Sequence, residues 1–146
     1  MKIMKTDEQA LRITACLARN GGQMTQAEIV GAERLPQPTV TKLLSQLRRG
    51  GVVQTVRGRH GGYELARPSN EITVADVMKS LGRPLLVGSA CSPDDPLDVV
   101  CPHVGDCGLR SVWRSLAVRI TRVLEGTSLA DLSGETCAIE EKLLEL

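Results

Sequence analysis

Thr25-Gln26-Ala27-Glu28, then Pro38-Thr39-Val40-Thr41-Lys42-Leu43-Leu44-Ser45-Gln46-Leu47-Arg48-Arg49-Gly50-Gly51, then Val52-Val53-Gln54-Thr55-Val56-Arg57-Gly58-Arg59-His60-Gly61-Gly62-Tyr63-Glu64-Leu65 decide the fold. The first four residues have the form of a capping box. The threonine hydroxyl takes a first-turn amide and the glutamate reaches back to the cap, so a short helix should run to about Ala32. Arg34-Leu35-Pro36-Gln37 reads as a turn, and Pro38 suits the first position of the next helix, where its missing N–H costs nothing. In that helix Val40, Leu43, Leu44 and Leu47 recur at i, i+3, i+4 and i+7, and Gly50-Gly51 ends it. The opposite face carries Thr39, Thr41, Lys42, Ser45, Arg48 and Arg49. Val52–Val56 reads as a strand, and Gly62–Leu65 pairs back on it through the tip Arg57–Gly61.

Working outward, Glu8 to Asn20 reads as a helix with Leu11, Ile13, Thr14, Leu17 and Ala18 inward and Gly21-Gly22 as its stop. Thr73 caps a further helix, with Asp76 at its third position and Val74, Val77, Met78 and Leu81 inward. Helix, short helix, turn, helix, basic hairpin is the order of a winged helix-turn-helix. The expected fold class is mainly α with a small β-hairpin, its third helix entering the major groove of double-stranded DNA. Gln37, Thr39 and Lys42 are the candidates for facing base edges, since glutamine suits adenine and lysine suits guanine, with Thr41 beside them on the DNA-binding face. Arg48 and Arg49 are better placed for phosphates, and the tip Arg57, Arg59 and His60 for the backbone or a minor groove.

Charge supports that reading. The chain has 146 residues and a formal net charge of +1. From Arg34 to Tyr63, however, it carries Arg34, Lys42, Arg48, Arg49, Arg57 and Arg59 and no acid, which leaves the remainder acidic. A basic outer helix face is often only solvated surface. An acid-free block ending in an Arg-Gly-Arg hairpin tip favours a polyanion instead. Aromatics are almost absent (Trp113, Tyr63 and no phenylalanine), which argues against stacking platforms for single strands. No apolar run has the length of a membrane span, and the first residues lack the apolar core of a signal peptide, so a cytoplasmic location without membrane contact is expected.

Between Arg83 and about Gly108 the periodicity stops, and the stretch holds Pro84, Pro93, Pro96 and Pro102. It also holds Cys91, Cys101 and Cys107, with nine and then five residues between them, among Asp94, Asp95, Asp98 and Asp106 and without Lys or Arg. Negative surroundings raise a thiol's pKa, which argues against a reactive cysteine and a thiol-based redox enzyme, but they attract a cation. Three thiolates suit zinc or an iron–sulfur cluster, and the spacing alone leaves both open, with a fourth ligand to be found. His103 is the local candidate, although a hydrogen-bonded surface histidine reads equally well. Cys16 reads as packing and Cys137 as a spare thiol. After the loop, Leu109, Trp113, Leu116, Ile120 and Val123 form a short apolar seam with Arg110, Arg114, Arg119 and Arg122 beside it. We expect a long dimerisation helix there, because a winged helix reading paired half-sites needs two-fold symmetry. The expected organisation is a DNA-binding domain over 1–82, a cysteine loop over 83–108, and a dimerisation helix with a C-terminal tail over 109–146.

Leu47–Val53, Val56-Arg57-Gly58-Arg59-His60-Gly61-Gly62-Tyr63-Glu64-Leu65-Ala66-Arg67-Pro68 and Ile72–Val77 resemble the Rrf-two family of bacterial transcription regulators, with its IscR-, NsrR- and RirA-like members. Cys101-Pro102 and Cys107-Gly108-Leu109-Arg110 resemble that family's cluster loop. The resemblance implies a homodimeric repressor or activator whose operator affinity is set by an iron–sulfur cluster, 4Fe-4S or 2Fe-2S, on Cys91, Cys101 and Cys107. A zinc-stabilised DNA-binding protein becomes the alternative. The resemblance also places Glu8, from the partner subunit, where NsrR-like members carry an acidic ligand. IscR-like members use a histidine three residues after the last cysteine, where this chain has Arg110. The implied signals are cluster supply, iron, nitric oxide or redox state, with iron homeostasis favoured.

Overall fold

The computed structural model describes residues 4–58, 61–82, 108–134 and 142–143. The chain forms α1 (Lys5–Asn20), α2 (Gln26–Glu33), α3 (Gln37–Arg49), β1 (Val53–Val56), β2 (Gly62–Leu65), α4 (Val74–Ser80), α5 (Gly108–Gly126) and α6 (Leu129–Ser133). This is the expected mainly helical fold with one antiparallel hairpin, paired from Val53↔Leu65 to Val56↔Gly62. α1 begins a turn earlier than its apolar pattern suggests, because the Asp7 carboxylate accepts the Met4 N–H at 2.8 Å. β1 starts at Val53 rather than Val52. Val52 stays buried, its N–H donating to the Leu47 carbonyl at 3.0 Å as the chain leaves α3.

One core holds these elements together. Ala10, Ile13 and Leu17 of α1, Ile29 of α2, four residues of α3, Val52 and Val53, and Ile72, Val77 and Leu81 around α4 are all buried in it. Thr73 caps α4 as the sequence indicates, its hydroxyl accepting the Asp76 N–H at 3.1 Å. The core also includes Leu129 of α6, which is fully buried. The segment after α5, assigned from sequence to a tail, returns to the first domain. There the Val74 N–H donates to the Thr127 carbonyl at 2.9 Å and the Leu129 N–H to the Ile72 carbonyl at 2.8 Å.

α5 therefore ends beside the core. Its last turn is fixed to α4 by Lys79 Nζ–Glu125 Oε1 at 3.1 Å, while its opening turns expose Leu109, Val112, Trp113, Leu116 and Val118. Among the described residues no helix is long and apolar enough to cross a membrane.

α6 is held by a second clasp. Asp131 accepts the Ser128 N–H at 2.8 Å and the Lys142 ammonium. The Lys142 hydrogen bond, helped by Ser128, holds its carboxyl at about 2, against an ordinary 3.8. A depressed folded pKa means that this contribution is complete above about pH 4 and is lost as pH falls toward 2. Asp131→Asn should therefore lower thermal stability at pH 6 by no more than about 1 kcal/mol, since the pair is partly exposed. The deficit relative to the unmodified chain should shrink below pH 4 in a series of melts and vanish near pH 2.

Candidate nucleic-acid interface

An eight-residue helix is not stable alone in water, so α2 needs outside support to present α3. At its start, Thr25 and Glu28 form the reciprocal box expected from sequence. The Glu28 N–H donates to Thr25 Oγ1 at 3.3 Å, and the Thr25 N–H donates to Glu28 Oε2 at 2.7 Å. Those Thr25 donors hold the Glu28 carboxyl below its usual range. At its end the chain turns through Arg34 in the left-handed region, φ 51°, with Leu35 buried beneath. Pro36 and Pro38 then open α3.

α3 is seated by Val40, Leu43, Leu44 and Leu47, none more than 1% exposed. The seat turns Gln37, Thr41, Lys42, Arg48 and Arg49 outward, with Thr39 half-buried. Thr41 is already engaged: its hydroxyl donates to the Gln37 carbonyl at 2.9 Å and accepts from Gln26 Nε2. Gln26, which the sequence does not mark, thus ties the start of α2 to α3. Gly50 is required by packing, because a Cβ there would lie 2.2 Å from Ser80 Cβ of α4.

The hairpin is fixed to the same unit. Met24 and Tyr63 exchange N–H···O bonds at 2.8 Å in both directions, a single antiparallel bridge that ties the chain before α2 to the hairpin. A methyl on Gly62 would fall 2.4 Å from the Met24 carbonyl oxygen, which explains one glycine of the Gly-Gly pair. Beyond Val56, Arg57 is exposed and Gly58 takes φ +134°. Arg59 and His60 lie outside the described residues.

Cys91, Cys101, His103 and Cys107 also lie outside the described residues. Among the described residues no three His, Cys, Asp or Glu side chains gather as a metal site. Glu8 lies on the first turn of α1 and is exposed. Cys16 is buried as a packing residue with its Sγ 3.8 Å from Met24 Sδ, and burial, then the nearby Glu33 carboxylate, push its thiol pKa up. That environment makes the thiol inert.

Glu33 is a residue that sequence patterns do not mark. It is the last residue of α2 and is buried, yet it accepts from Arg12 Nε at 3.0 Å and from Arg19 Nη2 at 3.2 Å. Its backbone carbonyl also accepts from Arg12 Nη2. The only sequence signal is an acid where the helix dipole disfavours one, with two arginines seven residues apart on the first helix.

Residues 3–135 match the Rrf2 family, described as "Iron-dependent Transcriptional regulator". Protein aau3 of Rhizobium meliloti is 35% identical over 133 residues, covering 90% of this chain and 84% of that protein. Among solved structures, CymR, the global cysteine regulator of B. subtilis, superposes with a TM-score of 0.76 at 25% identity, over 91% of this chain and 96% of that one. IscR of T. potens gives 0.70 at 26% identity, over 90% and 85%. The chain belongs to the Rrf2 family of winged-helix, DNA-binding transcription regulators, and is a regulator rather than an enzyme.

Proposed function

We propose that this protein binds its operator as a homodimer and that an iron–sulfur cluster controls its affinity. Gln37, Thr39 and Lys42 face base edges, with Thr41 on the same DNA-binding face. Arg48, Arg49, Arg57, Arg59 and His60 hold the backbone. Cys91, Cys101 and Cys107, with Glu8 of the partner subunit, hold the cluster in the cytoplasm. The observation that carries the DNA reading is the exposed face of α3 and Arg57, cationic across a stretch with no carboxylate from Arg34 to Tyr63. Cluster control is supported by three thiolates in an acidic, lysine- and arginine-free segment, by the iron-dependent description of the family and by the likeness to IscR. Glu8 fits the assignment, since its carboxylate is exposed at the start of α1, where a donor to a second subunit must be.

A second reading has its own support: the likeness to CymR favours control by cysteine supply. Anaerobic purification followed by a visible spectrum and iron, sulfide and zinc analysis separates the readings. Colour with iron and sulfide supports the cluster. Colourless, zinc-loaded protein supports the zinc-stabilised alternative, and metal-free protein that responds to a cysteine metabolite supports the second reading.

The wing has a separate test. Arg57→Ala should weaken operator binding and lower the slope of log K against log salt by roughly one unit, the effect of leaving one phosphate without its cation. An unchanged slope would remove Arg57 from the backbone.

A further inference from the structure

Glu33 breaks two local rules, and it does so at a telling place. It is an acid at the negative end of a helix dipole, it is buried, and it immediately precedes the acid-free block that faces DNA. Local conflicts of this kind concentrate where function is at stake. A buried carboxylate is tolerable only with partners, and here both come from one element: Arg12 and Arg19 of α1. Arg12 grips two groups, the carboxylate through Nε and the Glu33 carbonyl through Nη2. The second contact satisfies one of the carbonyls left open at the end of α2.

The rest of α2 explains why this matters. Its only other buried residue is Ile29, with Val30 partly buried against the same core, so little apolar surface anchors the helix and its angle is left to polar contacts at its two ends. Its start is joined to α3 by Gln26–Thr41. Its end, the pivot before Arg34 and the reading helix, is set by the arginine clamp. We propose that Glu33 is a positioning residue for DNA recognition: held by Arg12 and Arg19, it locks the end of α2 to α1 and so fixes the angle at which α3 meets the groove. This role rests on α3 being the reading helix. Reading base edges needs side chains held to within about half an ångström, so a loosened pivot should cost affinity while every phosphate keeps its cation.

The test compares Glu33→Gln, Arg12→Lys, the double variant and Lys42→Ala in the full-length dimer, with operator Kd measured across a salt series well below each melting temperature. Glu33→Gln keeps shape but loses the charge. Arg12→Lys keeps charge but cannot grip both groups as a planar fork. Each should weaken binding on the order of tenfold with an unchanged salt slope, and the double variant should be no worse than either single one. Two results overturn the proposal. Unchanged Kd with a lowered melting temperature means that Glu33 serves stability alone, and tighter binding by Glu33→Gln means that it acts only as a negative charge near phosphate. Lys42→Ala separates the two levels: if it weakens binding while Glu33→Gln does not, only the clamp is refuted, whereas if neither changes Kd, α3 is not the reader.

Discussion

Trp113→Glu is expected to split the proposed homodimer and to weaken operator binding on the order of a hundredfold or more. Trp113 is 46% exposed on α5, flanked by Leu109 at 58% and Leu116 at 42%. A buried tryptophan covers about 200 Å², so hiding the exposed half in a two-fold interface contributes roughly 2.5 kcal/mol per subunit, twice in the dimer. Glutamate removes that burial and places two unpaired carboxylates in the seam, which adds a desolvation penalty. Unlinked half-sites then lose the effective-concentration advantage, roughly 10²-fold or more. The base of α5, with Lys79–Glu125, and the core with Leu129 are untouched, so the variant should fold as a monomer of 15.7 kDa. Sedimentation with operator titration checks both parts. A variant that remains dimeric would show that α5 does not form the interface.

Cys107→Ser should abolish stable cluster binding. On the scale of structural metal sites held by four ligands, one thiolate is worth about 3 kcal/mol, on the order of 10²-fold in retention. Iron and sulfide per chain and the visible absorbance should fall to background in protein prepared without oxygen. The reader should survive, because α1–α4, the hairpin and α6 share a core of their own aliphatic side chains, and its melting temperature should stay close to that of the apo protein. Full iron content in the variant would show that Cys107 is not a ligand.

The parts of this molecule legible in its sequence are those in which local chemistry and global packing agree. Thr25 with Glu28, and Thr73 with Asp76, announce helix starts that need no tertiary knowledge, and the four apolar residues of α3 fix its buried face by spacing alone. What escaped was decided by distant partners. Ser128 and Asp131 form a capping box that announces α6 locally, as Thr25 and Glu28 do for α2, but that Leu129 is core is decided by the Ile72–Thr127 region beside it. Met24 is bridged to the hairpin through Tyr63. Glu33 reads as a surface acid because its partners lie fourteen and twenty-one positions away on α1. On the proposed DNA side, charge placement marks the candidate face, but Gln26, which occupies Thr41, has no local signature. The proposed cluster ligands were legible only as composition: three thiols among acids, in a stretch whose spacing names no metal by itself.

The proposed switch has an inorganic cofactor set the grip of the reader on DNA, because ordering the cysteine segment at the metal shifts the balance between two states of the dimer. Its most direct test is operator affinity at one fixed salt concentration for cluster-loaded protein and for the same preparation after chelation. We expect dissociation constants that differ by about tenfold or more and converge again when the cluster is rebuilt. Equal constants in the two forms, for protein whose iron content shows that the cluster was present and then removed, would contradict the account.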